Sequence, residues 1–141
     1  MLFGHPLHPA TVHFPIALYC LGVLLTGLHL WRNQPELERF AFLSFGLAWL
    51  ATLVACVAGL IDQNQLAVDD PRLAVVNNHI TGAVTLLIVN GLLVYMRFRW
   101  PDALTSRRAP YLGLMALGLA AVLVTGWLGG ELVYNLRVGV N

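Results

Sequence analysis

The stretch GHPLHPATVHFPIALYCLGVLLTGLHLW, residues 4–31, decides the fold: a histidine- and proline-rich opening runs into an apolar segment with no acidic or basic residue other than His29. A hydrocarbon core of ~30 Å needs about 20 consecutive apolar residues in helical form, and residues 10–31 supply them. Three further runs of this kind follow, near 40–61, 77–96 and 110–131. The remaining residues are spent on short connections, leaving no room for a second domain. Of the whole chain, 58% of residues are hydrophobic and 11% charged, and the mean hydropathy is +0.73. That composition excludes an ordinary soluble domain. The reading is all-α: a polytopic four-transmembrane-helix bundle, residues 1–141 forming one domain in contact with the lipid bilayer.

The opening lacks a basic n-region, and its first helix is too long for a cleaved signal, so this helix is expected to stay attached. Pro15 lies just inside it. Either the helix bends there, or its regular part starts there with residues 5–14 folded as a capping segment.

All eight basic residues are arginine. Arg32, Arg39, Arg97, Arg99, Arg107 and Arg108 belong to the first and third connections, whereas Arg72 and Arg137 lie on the other side. The positive-inside rule then puts both termini on the periplasmic side of a bacterial inner membrane. His5, His8, His13 and His79 share that face with Asp62, Glu131, Tyr134 and Arg137, and the middle of the bundle reads as plain. A net charge of +1 carries no sign of nucleic-acid binding.

Histidines at the mouth of a membrane bundle suit heme iron or a transition metal. Heme b between helices takes one histidine from each side, so His13 on the first helix and His79 on the third form the expected axial pair, with His5 and His8 beside them. Gly82 and Gly126 leave space for a flat macrocycle, although Gly126 and Gly130 also have the spacing of close helix packing. His5 and His8, bracketed by prolines, equally suit capping of backbone groups, and His29 suits an interfacial position. Asp62, Glu131, Tyr134 and Arg137 are placed to orient a ligand imidazole or meet water. Cys20 and Cys56 lack metal or redox spacing and read as small apolar residues. Most Trp and Tyr residues fall towards the span ends, as in an aromatic belt.

The opening GHPLHPATVHFPIAL, AGLIDQ at 58–63, the His79 start of the third helix and TGWLGGELVYNLRVGV at 125–140 resemble a bacterial predicted-membrane-protein family. It is the domain-of-unknown-function family numbered twenty-two thirty-one, and the resemblance covers essentially the whole chain. It implies a four-helix inner-membrane protein whose His5, His8, His13 and His79 match signature positions, and it brings no activity with it. Members often carry histidine and glycine after the closing tyrosine, where this chain has Asn135, Leu136 and Arg137.

Three functions compete. The first is a heme b electron-transfer subunit exchanging electrons with a periplasmic carrier, a quinol or a larger membrane redox complex. The second is a cofactor-free structural or accessory subunit of a larger membrane complex. The third is copper or zinc binding by His5, His8 and His13 with Glu131. No activated nucleophile or acid–base pair points to stand-alone catalysis.

Overall fold

The computed structural model describes residues 7–63, 66, 67 and 69–138, and their regular structure is all helical. A short helix α1 (Leu7–Thr11) leads through Val12 into α2 (His13–Arg32), followed by α3 (Pro35–Gln63), α4 (Leu73–Arg99), the single turn α5 (Ala103–Ser106) and α6 (Arg108–Gly130). A π-helical turn, Glu131–Asn135, extends α6. Four helical rods are long and apolar enough to cross a membrane: Leu7–Arg32, Pro35–Asp62, Leu73–Arg99 and Arg108–Asn135. They overrun the expected spans at both ends, because the hydropathy pattern marks only the hydrocarbon-embedded part and helices continue until a residue stops them.

The stops have identifiable causes. Pro35 opens α3, while Pro15 and Pro110 sit in the first turns of α2 and α6, where a missing N–H costs nothing. Pro15 therefore neither bends the helix nor starts it: the break falls at Val12, with a helical turn already formed before it. Asn33 takes the left-handed conformation (φ 52°) that ends α2. Pro101 biases Trp100 to extended backbone (φ −129°, ψ 94°), which ends α4.

Each long helix packs on the next, α2 on α3, α3 on α4 and α4 on α6, and α6 returns to α2, closing a ring. Tyr19, Phe45, Leu93 and Tyr111 fill its centre, while Leu24, Leu43, Leu50, Val57, Ile88 and Leu123 point outward as lipid-facing residues. Lipid tails are as apolar as these side chains, so close packing and interhelical hydrogen bonds must hold the bundle together. Tyr19 donates to Met115 O (3.1 Å) and Trp49 Nε1 donates to Leu87 O (3.1 Å). The middle is less plain than its hydropathy suggests: Asn90 is fully buried and its Nδ2 donates to Phe45 O across α4 and α3 (3.2 Å). Trp49 and Tyr111 likewise turn inward, whereas Trp31, Tyr95, Trp127 and Tyr134 are exposed rings.

Candidate functional site

At the end of the bundle where α3 stops and α4 begins, four elements bring two imidazoles together, nitrogen to nitrogen. Helix α1 folds across α3, and the carboxylate of Asp62, near the end of α3, accepts the His8 backbone N–H (2.9 Å from N to Oδ2). This contact tethers the start of a helix too short to be stable alone. The His8 side chain then reaches down α3, where its Nδ1 lies 2.8 Å from Ala55 O. On the opposite side of the bundle, His79 in the second turn of α4 places its Nδ1 3.0 Å from Thr125 O on α6.

Both contacts use the same local construction. In an α-helix, the side chain at position i+4 leans back over the carbonyl of residue i, and here position i+4 is glycine each time: Gly59 after Ala55 and Gly129 after Thr125. A Cβ on Gly59 would stand 2.9 Å from His8 Nδ1, and one on Gly129 would stand 3.1 Å from His79 Cε1. The missing side chains open the second lone pair of each helix carbonyl to a ring.

A carbonyl oxygen only accepts, so each Nδ1 carries the proton. That fixes both tautomers and leaves Nε2 of each neutral ring as a bare acceptor. These two Nε2 atoms lie 3.3 Å apart, with the rings perpendicular and their centroids 5.5 Å from each other. Two lone pairs held against each other repel unless an electrophile, a proton or a metal ion, sits between them. Imidazoles that bind metals characteristically donate the other ring N–H to a carbonyl or carboxylate in this way.

Around the pair lies a cavity of about 470 Å³ between the α2–α3 wall and the α4–α6 wall, lined mainly by apolar and small residues that include Ala55, Gly59, Ala83 and Gly126. His13 also lines it, yet is exposed and makes no hydrogen bond to His79; the ring facing His79 belongs to His8. Gly82 packs tightly on Thr125, which makes it a helix contact between α4 and α6. Gly126 has open space beside it, with only Ile16 at the edge of contact. His5 lies outside the described residues. Sequence spacing alone hid the pairing of His8, because it depends on α1 folding back along α3.

The polar rim follows. Asp62 Oδ1 and Thr125 Oγ1 are buried without a hydrogen-bond partner. Glu131 accepts from Asn135 within the π turn (2.6 Å), Tyr134 lines the cavity while remaining largely exposed, and Arg137 is exposed with φ 51°. Arg72 grips Asp70 through Nε (2.9 and 3.1 Å) and NH2 (2.5 Å) and reaches Leu136 O (3.4 Å), joining the α3–α4 connection to the C-terminal segment. That grip lowers the Asp70 pKa to about 2. Among the described residues no group of three or more His, Cys, Asp or Glu is arranged to hold a metal. Cys20 faces outward and Cys56 lines the cavity; both are free thiols. His29, at the opposite end, donates from Nδ1 to Gln34 O (2.8 Å).

The family described as Predicted membrane protein (DUF2231) matches over residues 4–141. No curated protein and no solved structure matches the chain.

Proposed function

A match over residues 4–141 makes this chain a member of the DUF2231 family of predicted membrane proteins, and from that premise we propose that it is a b-type cytochrome-like electron-transfer subunit, with heme iron held between Nε2 of His8 and Nε2 of His79. The observation that carries this reading is the pair of Nε2 atoms facing each other at 3.3 Å, each ring backed by a helix carbonyl at its Nδ1. Two imidazoles from opposite sides of a membrane bundle are the donor set of a bis-histidine heme.

The surroundings fit a flat macrocycle. The two histidines come from opposite walls of an apolar cavity, and Ala55 and Gly59 on one side oppose Ala83, Gly126 and Gly129 on the other. His8 and His79 would hold the iron through their Nε2 atoms, which lie 3.3 Å apart. Heme supplies one-electron carriage when bound. The protein's part is to fix both imidazole tautomers, to exclude water with the apolar walls, and to keep His8 on α3 through Asp62.

With the arginine-rich end in the cytoplasm, the pair lies near the periplasmic face of the inner membrane. Its partners in this reading are a periplasmic electron carrier, a quinol or a larger membrane redox complex. Carriage is favoured over turnover: Cys56 and Asp62 share the cavity, but among the described residues neither hydrogen-bonds an imidazole ring to form an activated nucleophile or an acid–base pair. The bare-metal reading, copper or zinc, has the same two imidazoles in its favour but no third ligand beside them among the described residues.

A dithionite-reduced minus air-oxidised spectrum of the protein purified in mild detergent tests the proposal. A sharp α band with a shifted Soret band is expected. A flat spectrum from pure, folded protein overturns it; metal without porphyrin then supports the copper or zinc reading, and a colourless protein stable only with other subunits supports an accessory role.

A further inference from the structure

The opposite end of the bundle carries five exposed arginines, Arg32, Arg39, Arg99, Arg107 and Arg108, which form no ion pair among the described residues. Glu36 and Asp102 are the only exposed carboxylates at that end, since Glu38 is engaged by Arg97. Three of the five guanidinium groups rest on indole rings. Arg107 Cζ lies 4.2 Å from the Trp100 centroid, Arg99 5.5 Å from the same ring, and Arg32 5.0 Å from Trp31. Arg39 and Arg108 have no such support, and Arg108 borders a cavity.

That cavity, about 290 Å³, lies between the end of α2 and the start of α6 and is lined by His29, Leu30, Asn33, Leu104, Thr105 and Arg108. Each side pairs a polar side chain with a leucine: Asn33 with Leu30 at the end of α2, and Arg108 of α6 with Leu104 of α5. His29 spends Nδ1 on Gln34 O, leaving Nε2 as its remaining polar atom. Leu30 is partly exposed, whereas Leu104 is buried. A guanidinium and an amide beside leucines, at the membrane depth where the arginines end the apolar belt, match a phosphodiester attached to an acyl chain.

We infer that this cavity binds the headgroup of an anionic glycerophospholipid, the phosphodiester held by Arg108 and Asn33 and the glycerol backbone resting on Leu30. The site is independent of the heme reading, being at the other end of the bundle.

Native mass spectrometry of the protein in an uncharged detergent tests it, with phosphatidylglycerol, phosphatidylcholine or sodium phosphate added. Phosphatidylglycerol adducts are expected to dominate. Arg108→Ala is expected to lower their apparent affinity about tenfold, as loss of a charge-assisted contact does, and Asn33→Gly, which keeps the left-handed turn, lowers it less. Arg39→Ala serves as the control for surface charge and leaves it unchanged. Equal retention of phosphatidylcholine, equal losses in the Arg39 and Arg108 variants, or displacement of the lipid by millimolar phosphate each overturns the inference. An unchanged unfolding temperature in the Arg108 variant separates lost binding from lost fold.

Discussion

Gly59 and Gly129 stand in the same relation to the two imidazoles: each lies four residues after the helix carbonyl that accepts a histidine Nδ1 proton. A methyl group at either position intrudes on a ring pinned from three sides. Gly59→Ala and Gly129→Ala are therefore expected to displace the rings and weaken the bundle by about 1–3 kcal/mol, as overpacking does. Gly27→Ala and Gly113→Ala, where an added Cβ meets nothing within 4 Å, should be neutral or slightly stabilising. Thermal unfolding in detergent with visible spectra distinguishes the two pairs; equal behaviour of all four variants would show that the glycines are not seats for the rings.

Replacing the histidines separates ligands from bystanders. His8→Ala and His79→Ala should each abolish the reduced α band, since each removes one of the two facing Nε2 atoms. His13→Ala should retain the band, because its ring is exposed and unbonded at the cavity's edge. Loss of the band in the His13 variant with retention in the His8 variant would assign the ligand the other way.

Much of this was legible in the chain. Four apolar runs give four spans, and His79 stands out as the sole histidine of its helix. The partner of His79 was not legible, because His8 precedes a proline and looks like part of a capping segment; only the fold-back of α1 onto Asp62 brings it to Ala55. The glycine device was visible as spacing, Ala55 to Gly59 and Thr125 to Gly129, but the same spacing serves bare helix packing. Asn90 could have been flagged as an amide within an apolar run, yet hydropathy averaged it away. Trp49 lies at the middle of α3 rather than at a span end, and its indole N–H is spent on Leu87 O.

Asp62 holds His8 by the backbone, which gives a prediction distinct from ligation. Asp62→Ala removes the acceptor at the start of α1 and should cost about 1 kcal/mol, typical of a lost cap. Asp62→Asn retains an oxygen that can accept the His8 N–H. Hydrogen exchange over residues 7–12 is expected to quicken in the alanine variant and to stay near wild type in the asparagine variant; equal protection in both would dismiss the tether.

Outside the membrane, the Asp70–Arg72 pair makes a pH prediction. Its hydrogen bonds to Arg72 hold the Asp70 pKa at about 2, below the ordinary value of about 3.9. A depressed folded-state pKa means the contribution to stability is present above about pH 4 and is lost as pH falls through 2. An NMR titration of the Asp70 carboxyl carbon should give a midpoint near 2, rising part of the way towards about 3.9 in Arg72→Gln, which removes the guanidinium but keeps the backbone N–H that donates to Oδ1. A wild-type midpoint already near 4 would mean that the grip does not persist in solution.

At the arginine-rich end, Glu38 and Arg97 form a two-pronged pair between α3 and α4, Nε to Oε1 and NH2 to Oε2, with side chains only 14% and 15% exposed. The Arg97 guanidinium also lies 5.3 Å from the Phe42 ring centroid. Charges this sheltered are costly alone, so Glu38→Leu should destabilise the bundle by about 3 kcal/mol by stranding Arg97. Adding Arg97→Met to that variant should recover most of the loss, because the stranded cation is gone and an apolar pair fits between the helices. Unfolding temperatures of the two single variants and the double variant complete the cycle. Simple additivity would show that the two side chains are held by water and headgroups rather than by each other.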